Sequence, residues 1–144
     1  MKIIVDAKDH ILGRLASKVA KLALEGNEVI ILNSEKTVIS GTNKKRIEEF
    51  FKEKRDRGDP YHGPFYPRYP DQIVKRVIRG MLPYKKERGR KALKRIKAYI
   101  GVPEELKSEA EKAIRFEDCT LEKLNKRAKF DYLENISKKL GARW

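Results

Sequence analysis

Residues 75–97 carry eleven cationic side chains (Lys75, Arg76, Arg79, Lys85, Lys86, Arg88, Arg90, Lys91, Lys94, Arg95 and Lys97) against one acid, Glu87. That is a net +10 in a chain whose total is +14. Like charge at this density repels itself and opposes a compact fold until a polyanion or counterions neutralise it. Apolar residues (Val77, Ile78, Met81, Ala92, Leu93 and Ile96) are nevertheless threaded through the block at helical spacing. The block is therefore expected to sit at a fixed place on a folded body, with a solvated basic helix face as the plainer alternative.

The rest of the composition narrows the partner. A chain of 144 residues with 40% hydrophobic residues can build one core, and 39% charged residues with an excess of bases call for an anion. Nucleic acid is the first candidate and an acidic membrane surface the second. No apolar run approaches the roughly 20 residues of a membrane span, and the N-terminus lacks the layout of a signal peptide, so a cytoplasmic location is expected. One cysteine (Cys119) and two histidines (His10, His62) make neither a disulfide nor a recognisable metal set; no cofactor is expected.

In chain order, Ile3–Val5 reads as a strand buried on both faces, followed by a turn over 6–12. From Leu12 the pattern is helical, with Leu15, Ala16, Val19, Leu22 and Ala23 on one face and Gly26 in the place of a left-handed helix end. Arg14, Lys18 and Lys21 form a row on the other face, either solvated or against phosphates. Val29–Leu32 completes a βαβ unit, and Thr37–Ile39 is a third strand reached by a link too short for a crossover helix. It either reverses locally or lies elsewhere in the sheet.

A second helix is predicted to start at Gly41-Thr42-Asn43, with Ile47, Phe50 and Phe51 inward. Residues 58–70, with four prolines and two glycines, exclude helix and central strand; the stiff loop displays Tyr61, His62, Phe65, Tyr66, Arg68 and Tyr69, for bases to stack on or for protein packing. Asp71 can cap a third helix with Ile73, Val74, Val77, Ile78 and Met81 inward, stopped by Pro83. A basic turn at 85–89, a short helix over 90–95 and a last strand at Ala98–Ile100 follow. Residues 104–118 hold six acids against three bases and are expected to face away from the polyanion or toward a protein. Leu133, Ile136 and Leu140 mark a terminal helix ending at Gly141.

Val77-Ile78-Arg79-Gly80-Met81-Leu82-Pro83, the run Gly89–Tyr99 with Gly101, the N-terminal Asp6–Ser17 and Asn33-Ser34-Glu35-Lys36 together resemble the family of large-subunit ribosomal protein thirteen. The resemblance covers residues 1 to about 101 in the family's order, and the loop at 58–70 with the segment after Pro103 is similar to the archaeal and eukaryotic branch, the archaeal form fitting better. It implies an α/β domain of three α/β/α layers around a small four-stranded parallel sheet, one domain over 1–144 with a core of 1–101 and an extension of 102–144. It also implies residence in the large ribosomal subunit, contact with large-subunit ribosomal RNA and neighbouring ribosomal proteins, and a part in early subunit assembly, with no small-molecule substrate and no membrane.

On this reading Lys75, Arg76, Arg79, Lys85, Lys86, Arg88, Arg90, Lys91 and Lys94 neutralise phosphates, Arg68 with Tyr61 and His62 adds loop contacts, and Arg14 and Lys18 are secondary. Two other classes are weaker. An enzyme is disfavoured because Gly13 stands alone where a G-x-G-x-x-G would be needed and no P-loop occurs. A DNA regulator with a helix-turn-helix around Pro83 is disfavoured by charge on every exposed side, which suits a phosphate clamp better than base reading.

Overall fold

The computed structural model describes residues 1–41, 43–56, 61, 66–124 and 128–144. Strand β1 (Lys2–Asp6), helix α1 (Leu12–Leu24) and strand β2 (Glu28–Leu32) form the expected βαβ unit, with β1 and β2 parallel and Ile3 opposite Val29. Leu12, Leu15, Ala16, Val19, Ala20 and Ala23 are buried along one face of α1, the stripe its periodicity demands. Gly26, at φ +100°, turns the chain out of the helix in the left-handed region that favours glycine. Val29 to Leu32 are all buried, so β2 has both faces covered and forms the middle of the sheet.

The sheet differs from the expected four parallel strands. Among the described residues it has three, in the order β1-β2-β4, with β4 at Ile96–Ala98. The next strand in the chain, β3 (Val38–Gly41), pairs instead antiparallel with β5 (Lys129–Tyr132) in a separate two-stranded ribbon. The link explains why: Asn33 at φ 57° and a single 3-10 turn over Ser34–Lys36 cannot carry the chain across the sheet, so β3 finds its partner in the distant C-terminal segment. A parallel bridge from Val5 to Ile114 extends the β1 edge; the Asp6 amide donates to the Ile114 carbonyl at 3.1 Å and the Ile114 amide to the Ile4 carbonyl at 2.9 Å.

Helices α2 (Lys44–Arg55), α3 (Pro70–Met81) and α4 (Glu87–Lys94) lie between β3 and β4 in sequence; α5 (Lys107–Ala110) and α6 (Leu133–Lys139) follow. Within the expected helix start it is Asn43 that caps α2, its side chain accepting from the Arg46 amide at 2.8 Å. Four local expectations shift. Phe50 is 52% exposed and Met81 45%, because each sits at the edge of its helix's apolar face, not at its centre. Asp71 is not the cap of α3: Tyr69 takes that place, Pro70 fills the first helical position, and the acid lies in the first turn, where it still favours the helix dipole. Strand β4 starts two residues before the expected Ala98, since α4 begins at Glu87 and ends correspondingly early.

One core cluster joins α1, Ile73, Val74 and Ile78 of α3, Ala92 of α4, and Leu133, Ile136 and Leu140 around α6. The terminal helix thus buries its apolar face in the same core as the βαβ unit. Gly141 at φ +95° ends it, and the Trp144 indole donates to Ser137 Oγ at 3.1 Å, packing the tail back.

The turn from β1 into α1 ties the acidic segment down. His10 is fully buried; its Nδ1–H donates to the Lys8 carbonyl at 3.0 Å and its Nε2 accepts the Phe116 amide at 2.9 Å. Both bonds together fix the neutral ring in one tautomer. Leu121 donates to the Asp9 carbonyl at 2.7 Å, Ile11 to the Cys119 carbonyl at 2.8 Å, and the Tyr132 hydroxyl to Asp9 Oδ1 at 3.0 Å. Cys119 is buried, and that burial pushes its thiol up, away from reactivity.

Candidate nucleic-acid interface

The interface is built on the junction between α3 and α4. Leu82 leaves the helix in extended conformation, φ −105° and ψ 150°, the conformation that the residue before a proline favours. Pro83 to Lys86 turn the chain, closed by the Lys86 amide donating to the Pro83 carbonyl at 2.9 Å. Gly89, in the first turn of α4, is packed directly on this turn. A Cβ there would lie 2.0 Å from the Pro83 oxygen and 2.8 Å from the Tyr84 nitrogen, so only glycine lets the two segments meet. Leu82, Ala92 and Ile96 are buried beneath, and they hold the turn on the core.

This rigid scaffold carries its cations outward. Arg76, Arg79, Lys85, Lys86, Arg88, Arg90, Lys91 and Lys94 are exposed and Lys75 is half-buried. Within the block the ion pair is Lys91 with Glu87 at 3.1 Å, an i,i+4 contact between two well-exposed groups. Arg79 stacks over the Tyr84 ring, 4.4 Å from its centroid, and Arg90 reaches the Lys85 carbonyl at 3.3 Å. Arg95 turns inward and donates to the Ala23 carbonyl at 2.9 Å, capping the end of α1. Lys75, Arg76, Lys85, Lys86, Arg88 and Lys94 have no carboxylate partner among the described residues. Repulsion among them is left for an external anion to relieve.

The other predicted residues divide. Arg14 is exposed and without a carboxylate partner among the described residues. Lys18 is engaged: it pairs with Asp118 at 3.0 Å, and this bond raises the pKa of the lysine and lowers that of the aspartate. Arg68 is exposed, while its backbone carbonyl accepts from Ser137 Oγ; Tyr61 is 84% exposed. His62 and Phe65 lie outside the described residues. Arg68, Tyr66, Tyr69, Arg55 and Gln72 line an open recess of about 490 Å³. Burial pushes the Tyr66 phenol up, with the nearby Arg76 charge opposing it.

Sequence reasoning named Lys21 in the row with Arg14 and Lys18, and read Met81 as facing the core. Together with Ser17, Ala20, Leu24, Glu25 and Arg88 they line an open groove of about 620 Å³ between α1 and the α3–α4 junction. The available signal was a methionine at the last position of a helix, after a glycine. Among the described residues no group of His, Cys, Asp and Glu could hold a metal ion, and no helix is long and apolar enough to cross a membrane.

Fold and surface together define a basic α/β domain that presents a rigid cationic helix pair. The family model for ribosomal protein L13 matches residues 1–105. The chain is 47% identical over 140 residues to the large ribosomal subunit protein uL13 of Archaeoglobus fulgidus, covering 97% of this chain and 88% of the relative. It is 46% identical over 142 residues to that of Methanosarcina barkeri (98% and 99%), and 43% identical over 145 residues to that of Methanocaldococcus jannaschii (98% and 98%). The chain belongs to the ribosomal protein L13 family, a family of structural components of the ribosome and not of enzymes. Large ribosomal subunit proteins sit in the ribosome, which in archaea is cytoplasmic.

Proposed function

We propose that this chain is a structural constituent of the large ribosomal subunit that grips large-subunit ribosomal RNA through the α3–α4 junction and joins the subunit early in its assembly. The observation that carries the reading is the set of cations around Lys85, Lys86 and Arg88, without carboxylate partners among the described residues, on a turn that Gly89 locks to the core. Phosphate contacts of this kind supply affinity with little sequence discrimination, so placement comes from folded RNA shape and from neighbouring ribosomal proteins. An early role follows from the same physics: RNA helices pack only after their phosphates are neutralised.

Arg76, Arg79, Arg90, Lys91, Lys94 and Lys75 extend the clamp; Arg14 and Arg68 contact backbone beside it, with Tyr61 and His62 in the loop. Lys18 serves the fold in this reading, through Asp118. Residues 1–144 act as one domain, the segment beyond 101 contributing Leu133, Ile136 and Leu140 to the shared core.

The test is incorporation. Chain carrying Lys85→Glu, Lys86→Glu and Arg88→Glu together is supplied to assembling subunits and followed through a gradient after a high-salt wash. Loss of the chain from the large subunit, with circular dichroism of the free protein unchanged, is expected. Normal incorporation of the triple variant would remove the clamp. Pulse labelling separates the assembly claim: an early protein enters precursor particles, whereas a chain found first in mature subunits is a late one.

A further inference from the structure

We propose that the groove between α1 and the α3–α4 junction receives one unstacked nucleotide of the bound RNA, its base against Met81 and Leu24 and its phosphate held by Lys21 and Arg88. The inference rests on the reading that the α3–α4 junction binds ribosomal RNA, and it specifies what that site accepts beyond phosphate.

Five observations converge. The groove, at about 620 Å³, falls within the roughly 300–1,000 Å³ of small-ligand sites and so has room for a base with its sugar. Its walls are apolar where a base would lie, with Met81 45% exposed and Leu24 half-buried, and methionine is the side chain that best moulds itself to a flat ring. Lys21 and Arg88 are both exposed and have no carboxylate partner among the described residues, and Arg88 belongs to the cationic turn, so the groove opens directly onto the phosphate-binding surface. Glu25, also lining it, offers an acceptor to a base's amino or imino hydrogens.

The fifth is Gly80. It lies in the last turn of α3, where glycine weakens a helix relative to alanine, yet a Cβ there would meet nothing within 4 Å and its φ is not in the left-handed region. Nothing among the described residues requires a bare backbone at that point. Beside Met81, it leaves α3 open to close approach from outside. Protein–RNA recognition of single-stranded loops and bulges uses this kind of site, a splayed base on a soft or aromatic surface with its phosphate on a cation. The charge at the rim favours a nucleotide over an apolar side chain of a neighbouring protein.

The experiment uses the full chain with both methionines replaced by photo-methionine, assembled into large subunits, salt-washed, irradiated and digested. Cross-links at residue 81 are resolved from those at residue 1 by peptide mapping. A cross-link from Met81 to a single RNA nucleotide is expected, lost on combining Lys21→Ala with Arg88→Ala. Incorporated chain whose residue 81 cross-links to protein, or to nothing, overturns the groove while leaving the phosphate clamp standing. Chain that fails to enter the subunit at all overturns the clamp, and the groove with it.

Discussion

The α3–α4 junction and the segment over residues 104–124 are both dense in charge, and they use it in opposite ways. In the acidic segment two of the acids are matched inside the molecule: Glu109 meets Lys2 at 3.0 Å and Asp118 meets Lys18 at 3.0 Å, while the Phe116 amide donates to His10 Nε2, the Leu121 amide to the Asp9 carbonyl and the Ile11 amide to the Cys119 carbonyl, fastening the same stretch to the core. At the junction, by contrast, Lys85, Lys86 and Arg88 project from a locked turn with no carboxylate ion-paired to them among the described residues, Glu87 being taken by Lys91. Charge count alone does not distinguish a structural surface from a binding one. What distinguishes them is whether the fold supplies the counter-charge.

The sharpest way to break this contrast is to unlock the turn. Gly89→Ala forces a Cβ into the Pro83–Tyr84 backbone, which cannot yield as a flexible side chain would, and is expected to destabilise the domain by about 3 kcal/mol, the upper end of ordinary overpacking. Urea unfolding measures it; an unchanged midpoint would mean the two segments are not in contact. Next comes the triple charge reversal at Lys85, Lys86 and Arg88, which should abolish salt-resistant incorporation yet leave the unfolding midpoint of the free chain unchanged or slightly raised, because repulsion within the block falls.

A smaller effect tests the other region. Burial lowers the pKa of His10, the Lys8 carbonyl opposes that shift, Arg115 adds to it, and Asp6 and Asp9 act against it. The unfolded chain therefore binds a proton near pH 6.5 that the folded chain refuses. Stability from this group is complete above pH 6.5 and is lost as the pH falls from there toward the lower folded value. Unfolding midpoints should decline between pH 7.5 and 5.5, before most carboxylates titrate, and His10→Gln should flatten that part of the profile. A wild-type profile as flat as the variant's would refute the buried neutral ring.

The smallest change is expected from Lys18→Ala, which removes an exposed pair with Asp118. Incorporation should match wild type. A loss comparable to that from Arg14→Ala would return Lys18 to the RNA surface and narrow the contrast between the regions.

Much of the fold was legible because it is written at short range. The stripe Leu12, Leu15, Ala16, Val19 and Ala23 follows from a 3.6-residue period, and Gly26 and Gly141 mark helix ends through a local backbone need. The position of the cationic block needed only counting. Phe50 and Met81 were read as inward because periodicity gives a face but not how far the core extends around it.

The remaining features depend on segments far apart in the chain. Nothing within Val38–Gly41 says that its partner is Lys129–Tyr132, since any extended segment offers the same amides and carbonyls. Lys18 and Arg14 look alike in sequence, and only the return of Asp118 to the side of α1 separates them. Arg95 resembles its neighbours until the end of α1 presents it with the Ala23 carbonyl. The sequence by itself determined helices α1 to α4 and α6, the parallel βαβ unit and where positive charge is concentrated, because these arise from neighbouring residues. Tertiary structure alone decided which charges are paired within the fold and which are left without a carboxylate partner among the described residues, because neutralisation depends on distances that only chain folding sets.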